Sequence, residues 1–194
     1  MDTPPSGFLK RLAAGCALVA TAALAHAQAL DRPMLLIAPP TADGIYSQAV
    51  LVVVPIHEGQ HRGFIINRVS HTTVARAFPD EPDMAKVVDP IYFGGPNDAQ
   101  RMYAVVRRDP GEGARKLFDD VFVTISGATV DRVIQQWPGE ARFFAGYAAW
   151  EPGELAQEIR DGEWLVAEPH AAQIFSLQPG DLWLQLLQRI RSTL

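Results

Sequence analysis

Cysteine is almost missing from this chain of 194 residues: Cys16 is the only one. It sits in an apolar run near the amino terminus, and once that run is removed the remaining chain can form neither an internal disulfide nor a thiolate metal site. Stability then has to come from packing. Long apolar runs are missing too. Leu12 to Leu24 spans about a dozen residues, short of the roughly 20 that a membrane-crossing helix needs. Lys10-Arg11 precede this run and Ala25-His26-Ala27 follow it. A basic region, a short apolar stretch and an Ala-x-Ala site are the three parts of a secretory signal peptide, which predicts cleavage after Ala27. Ala13-Ala-Gly-Cys16 loosely matches a lipoprotein site, but too few residues separate Cys16 from Lys10-Arg11 to hold an inserted apolar region. An uncleaved amphipathic anchor is disfavoured, because no charge falls between Leu12 and Ala25 to make a polar face.

Basic charge is also scarce. The chain carries 17 Lys and Arg against 22 Asp and Glu, and loss of Lys10, Arg11 and Asp2 with the leader leaves 15 against 21. Such a balance argues against nucleic acid as a partner and against anionic lipid, both of which need clustered Lys and Arg. No stable membrane insertion is expected after cleavage. The organisation read from the sequence is a signal peptide over 1–27 and a single domain over 28–194, placed in the periplasm or secreted. That length is enough to bury well over half of the unfolded surface without staples.

β-Branched runs dominate the first two thirds. Val50-Leu-Val-Val-Val54, ended by Pro55, and Gly63-Phe-Ile-Ile66, closed by Asn67, predict an antiparallel pair. Ile91 to Phe93, Met102 to Val106 and Val121 to Ile125 predict further strands between segments rich in Gly, Pro and Asp. Thr72 to Phe78 predicts a short helix after Ser70. Later the spacing turns helical, over Val130 to Trp137, Pro152 to Arg160, Pro169 to Phe175 and Leu182 to Arg191. Pro152 suits a first helical turn and Gly162 a left-handed stop. Strands grouped first and helices grouped later predict an α+β fold.

His57-Glu58-Gly-Gln-His61 fits H-E-x-x-H, in which two imidazoles one helical turn apart hold zinc and the glutamate activates water. The chemistry requires a helix. Pro55 just before the segment, Gly59 inside it and strand-like runs on both sides predict instead a polar hairpin loop with solvated histidines. A third ligand is insecure, since His71 lies beyond a strand and Glu81 in a proline-rich loop. A zinc-dependent hydrolase using His57, Glu58 and His61 is therefore the alternative rather than the main reading. Ser126 lacks a G-x-S-x-G elbow, and His170 after Pro169 reads as a surface or cap residue. Gly94-Gly95-Pro96 reads as a tight turn before it reads as an anion cradle, since no Walker lysine accompanies it.

In order along the chain, Met34-Leu-Leu-Ile-Ala-Pro39, Gly63-Phe-Ile-Ile-Asn-Arg68, Tyr92-Phe-Gly-Gly-Pro96, Thr124-Ile-Ser-Gly127, Phe143-Phe-Ala-Gly-Tyr-Ala-Ala-Trp150, Pro152-Gly-Glu-Leu155 and Gly162-Glu-Trp-Leu165 resemble the blocks of the YqgE/AlgH family. The resemblance implies a single α+β domain with a strongly bent, partly barrel-like antiparallel sheet flanked by helices, which concentrate in the C-terminal third. It brings no agreed catalytic residues and no cofactor, and a role in transcriptional regulation, put forward for some members, fits an exported acidic chain poorly. Gln60-His-Arg62 stands where members usually have small residues, and Glu154 where a glutamine is usual.

Core and turn account for most of these blocks: the glycines permit close backbone approach and Tyr147, Trp150 and Trp164 supply large buried surface. The functional reading gathers Asn67, Arg68, Gly94, Gly95, Pro96, Tyr147, Trp150 and Glu154 into one surface for a periplasmic protein or small-molecule partner. The sequence thus predicts an exported, non-catalytic binding or interaction module with no resident cofactor.

Overall fold

Met34–Ile37 (β1) and Val50–Pro55 (β2) are apolar at every step of their shared register, in which Leu35 faces Val52 and Ile37 faces Val50. Strands buried on both faces read as continuous apolar runs, and these are such strands. The computed structural model describes residues 30–137 and 139–193; Cys16, the expected signal peptide and its expected cleavage site after Ala27 lie outside the described residues. Pro33–Leu194 forms one compact unit.

β2 returns through a tight connection as His61–Ile65 (β3), the antiparallel pair that the two β-branched runs predict. Val69–Thr73 (β4) follows, and Thr73 then caps Val74–Ala77 (α1), its hydroxyl accepting from the Arg76 amide. The helix predicted over Thr72 to Phe78 is real but shorter. Pro90–Phe93 (β5) and Asn97–Val106 (β6) flank the Gly94-Gly95 turn, and Ala114–Phe118 (β7) and Val121–Thr124 (β8) form a hairpin. Ser126 then caps Gly127–Gln136 (α2), and its neighbour Thr124 donates from its hydroxyl to the Gly113 carbonyl at 2.8 Å.

Ala141–Trp150 (β9) is the strand that organises everything else, pairing with β3, β5 and β6. Glu154–Arg160 (α3), Leu165–Ala167 (β10), Ala171–Ile174 (α4) and Leu182–Thr193 (α5) complete the chain. α3 starts two residues after Pro152, because Gly153, at φ 86°, breaks the helical backbone there. Among the described residues, ten strands form one sheet whose main path runs β10-β1-β2-β3-β9-β6-β8-β7, with β5 and β4 joined through β9. Pairing is antiparallel throughout except β5 with β9, which is parallel.

This is a strongly curled, half-barrel α+β fold with its helices mostly late in the chain. Its concave side holds a core built by period-two positions from many strands, Leu35, Val52, Phe64, Val105, Val121 and Phe144 among them. α4 and α5 cover it with Ile174, Phe175, Leu182, Leu186 and Leu187. The opposite face buries Ala104, Val106, Ala141 and Phe143 against Val74 of α1 and Val130 and Val133 of α2. Among the described residues, no helix is long and apolar enough to cross a membrane.

Candidate functional site

One stretch of the concave side is left uncovered. There a groove of about 390 Å³ is walled by Val52 and Val54 of β2, Arg62 and Phe64 of β3, Tyr103 of β6, Val123 of β8, Arg115 and Leu117 of β7, and Tyr147 of β9. Most of these positions differ by two within one strand, so the pleat puts them on one face. Register joins them across strands: Val52 faces Phe64, Val54 faces Arg62 and Arg115 faces Val123. β3 and β7 stand four places apart in the sheet, which in a flat sheet separates them by roughly 19 Å. Their side chains line a single groove only because the sheet curls.

The floor of the groove continues into the core, since Val52 and Phe64 belong to both. Its aromatic side is a contact chain: Phe64 meets Tyr103 at 5.5 Å, Tyr103 meets Tyr147 edge-on at 5.6 Å, and the Arg62 guanidinium lies 4.9 Å over the Tyr147 ring. Tyr103 donates from its hydroxyl to Asp98 Oδ2 at 3.1 Å, and Arg101 pairs with the same carboxylate at 3.2 Å. Burial and then the Asp98 hydrogen bond push the Tyr103 phenol up to about 12. Among the described residues, no Asp or Glu lines the groove, whereas two arginines do.

The residues singled out in the sequence fall into three places. Asn67 accepts from the Val50 amide at 2.9 Å and donates to the Gln48 carbonyl at 2.9 Å. Arg68 donates to the carbonyls of Ile45 and Ser47. Both side chains thus clasp the loop that enters β2. Gly94 and Gly95 press against β9: a Cβ on Gly95 would lie 2.2 Å from the Tyr147 carbonyl carbon, and one on Gly146 2.5 Å from the Gly95 oxygen. Pro96 is exposed beside this crossing. Trp150 is buried and donates to Glu158 Oε2 at 2.7 Å, while Glu154 Oε2 accepts from the Glu151 amide. Of the eight, only Tyr147 lines the groove.

Comparison with known proteins bears on this arrangement as a whole. Residues 34–194 match the model of the AlgH-like family, DUF179. The chain belongs to the AlgH-like family. A UPF0301 protein of Streptomyces coelicolor is 28% identical over 177 residues, covering 88% of this chain and 92% of its own. Another, of Chlorobium limicola, is 30% identical over 142 residues, covering 71% and 74%. The solution structure of AlgH from Pseudomonas aeruginosa superposes with a TM-score of 0.67 at 24% identity, over 82% of this chain and 87% of that one. That likeness shows the shared half-barrel fold.

In this AlgH-like domain the H-E-x-x-H segment is no helix. His57–Gly59 is a single 3₁₀ turn in which Glu58 adopts φ 57°, and it links β2 to β3 as a hairpin connection. His61 is already in β3, opposite Pro55 on one side and Trp150 on the other. The expectation of two solvated histidines therefore holds for exposed His57 and fails for His61, which is only 6% exposed. Among the described residues, no three His, Cys, Asp or Glu side chains cluster as a metal site. His170 stands at the cap of α4, its amide donating to Gln173 Oε1 at 2.7 Å.

Within the family domain, sequence reasoning missed the arginines of the groove. Their signal is alternation: Arg62 with Phe64, and Arg115 with Leu117, each put a guanidinium at a position whose period-two neighbour is apolar and inward. Both arginines stay solvent-exposed, so the signal is positive charge at the border of an apolar strand face rather than buried charge.

Proposed function

We propose that this chain is an exported binding module whose ligand lies in the concave groove walled by Val54, Arg62, Phe64, Tyr103, Leu117 and Tyr147. The observation that carries the reading is the groove itself: six strands contribute side chains to one apolar, aromatic-sided depression that α4 and α5 leave open. Its volume falls within the range of about 300–1,000 Å³ common to small-molecule sites, which are mostly apolar with a few polar groups that fix orientation. The remaining family blocks give this groove its rigidity. Asn67 and Arg68 clasp the entry to β2, and the Gly95–Gly146 crossing fixes the backbone on which Tyr147 sits.

Export rests on Lys10-Arg11, the apolar run and Ala25-His26-Ala27, all upstream of the family match, which begins at Met34. Native mass spectrometry of untagged protein from the periplasmic fraction tests both halves. The reading expects a mass beginning at Gln28 and a population carrying a small retained ligand, lost when Val54→Trp fills the groove. Protein confined to the cytoplasm with its leader intact would overturn export. Turnover of a substrate that one substitution abolishes without unfolding the domain would overturn the binding role.

A further inference from the structure

Arg62 and Arg115 enter the groove from strands at different places in the sheet, and neither has a carboxylate within salt-bridge reach among the described residues, where the ion pairs use Lys86, Arg101, Arg108 and Arg142. Arg62 rests on the Tyr147 ring. Both residues are solvent-exposed, so their guanidiniums stay hydrated at the groove while offering positive charge beside its apolar wall, where an anion can meet them. In a chain where acids outnumber bases by 22 to 17, there is no shortage of carboxylates to pair with these guanidiniums. The groove nevertheless draws its wall from Val52, Val54, Phe64, Leu117 and Val123 and contains no acid.

On the reading of this groove as the binding site, we infer that its ligand is a small amphipathic anion. Its acidic group lies between the guanidiniums of Arg62 and Arg115, and its apolar body lies along Val52, Val54, Phe64, Leu117 and Val123. The guanidinium fork gives a carboxylate paired, charge-assisted hydrogen bonds that a neutral polar group cannot match. The apolar wall continues the core at Val52 and Phe64, so the body of the ligand extends an existing apolar surface. The volume suits a small molecule, because a macromolecule would need a far larger contact area than the groove presents.

Calorimetric titration of the mature protein with decanoate, decanol and decyltrimethylammonium, all below micelle formation, tests the inference. Decanoate is expected to bind at least tenfold more tightly than decanol, and the cation not at all. Shortening the carboxylate should weaken binding by about fourfold per methylene removed. Arg62→Gln and Arg115→Gln should each bring decanoate to within about threefold of decanol and leave decanol binding within twofold of the parent. Circular dichroism of both variants guards against misfolding. Equal binding of decanoate and decanol, or variants that keep the preference, would overturn the anion inference and leave the groove reading standing. If none of the three probes binds, or Val54→Trp leaves their binding unchanged, both fall together.

Discussion

Trp150 and Trp164 share one acceptor: each indole N–H donates to Glu158 Oε2 at 2.7 Å, and the two rings meet edge-on at 6.4 Å. The contact ties the end of β9 to α3 and to the turn before β10. Both indoles are nearly buried, at 4% and 5% exposed, so each needs its acceptor. Tyr46 packs on Trp164 at 5.3 Å, and burial, then Glu158 and Glu154, raise its phenol pKa.

Glu158→Ala is expected to cost about 2–4 kcal/mol, because two buried donors lose their partner at once. Glu158→Gln, which keeps a carbonyl oxygen, should cost less. Urea unfolding followed by tryptophan fluorescence measures both. A loss below about 0.5 kcal/mol for the alanine variant would show that the shared acceptor is dispensable.

Gly95→Ala should prevent accumulation of folded protein, since the added methyl would meet the β9 backbone at 2.2–2.4 Å, where no flexible side chain can yield. Gly180→Ala is the control: nothing lies within 4 Å of its Cβ, and its stability should stay within about 0.5 kcal/mol of the parent. Soluble yield and amide-proton dispersion compare the two. A well-folded Gly95→Ala protein would contradict the close approach of the Gly94-Gly95 turn to β9.

Asn67→Ala leaves the Val50 amide, at a fully buried residue, without its acceptor and releases the Gln48 carbonyl. The expected loss is about 1–3 kcal/mol in chemical denaturation. Ligand binding in the groove should change little, because Asn67 does not line it. A large loss of affinity with unchanged stability would restore Asn67 to the ligand surface read from the sequence.

Tyr103 sets an alkaline limit. Its phenol holds the proton to about pH 12 in the folded state, against 10.0 for an unperturbed tyrosine. The folded state thus binds more protons in that window, so this contribution is complete below about pH 10 and is lost as pH rises toward 12. Tyr103→Phe should remove that slope and delete the last-titrating phenol from the absorbance titration near 295 nm. A wild-type titration in which every tyrosine ionises near pH 10 would contradict the raised Tyr103 phenol and its bond to Asp98.

Where one segment decides its own conformation, the sequence was legible. The β2–β3 hairpin follows from β-branched runs around Pro55 and Gly59, and most of α2 from the helical spacing of Val130 to Trp137, although its start at Gly127 behind the Ser126 cap was not read. β9 was hidden for a physical reason: it is rich in alanine and contains Gly146, so its strand propensity is low, and its less buried face carries Ala145, Tyr147 and Ala149 rather than charged residues, so the alternation of burial does not show as a polar–apolar pattern. β7 was hidden by Arg115 and Lys116. Tyr147 was identified from its block, but its partners Arg62, Tyr103 and Arg115 come from strands brought together only by curling, which no local pattern records. Likewise the Tyr92-Phe-Gly-Gly-Pro96 and Gly146-containing blocks looked like separate signals, and the fold makes them the two sides of one contact.

The most direct test of a ligand site in the half-barrel is a titration of the ¹⁵N-labelled mature domain with decanoate, followed by amide chemical shifts. The account predicts saturable shifts concentrated at Val54, Arg62, Phe64, Tyr103, Arg115, Leu117 and Tyr147, with the outer surface around Val88 and Trp137 unmoved. Shifts gathered at that outer surface, or none at saturating decanoate, would contradict it.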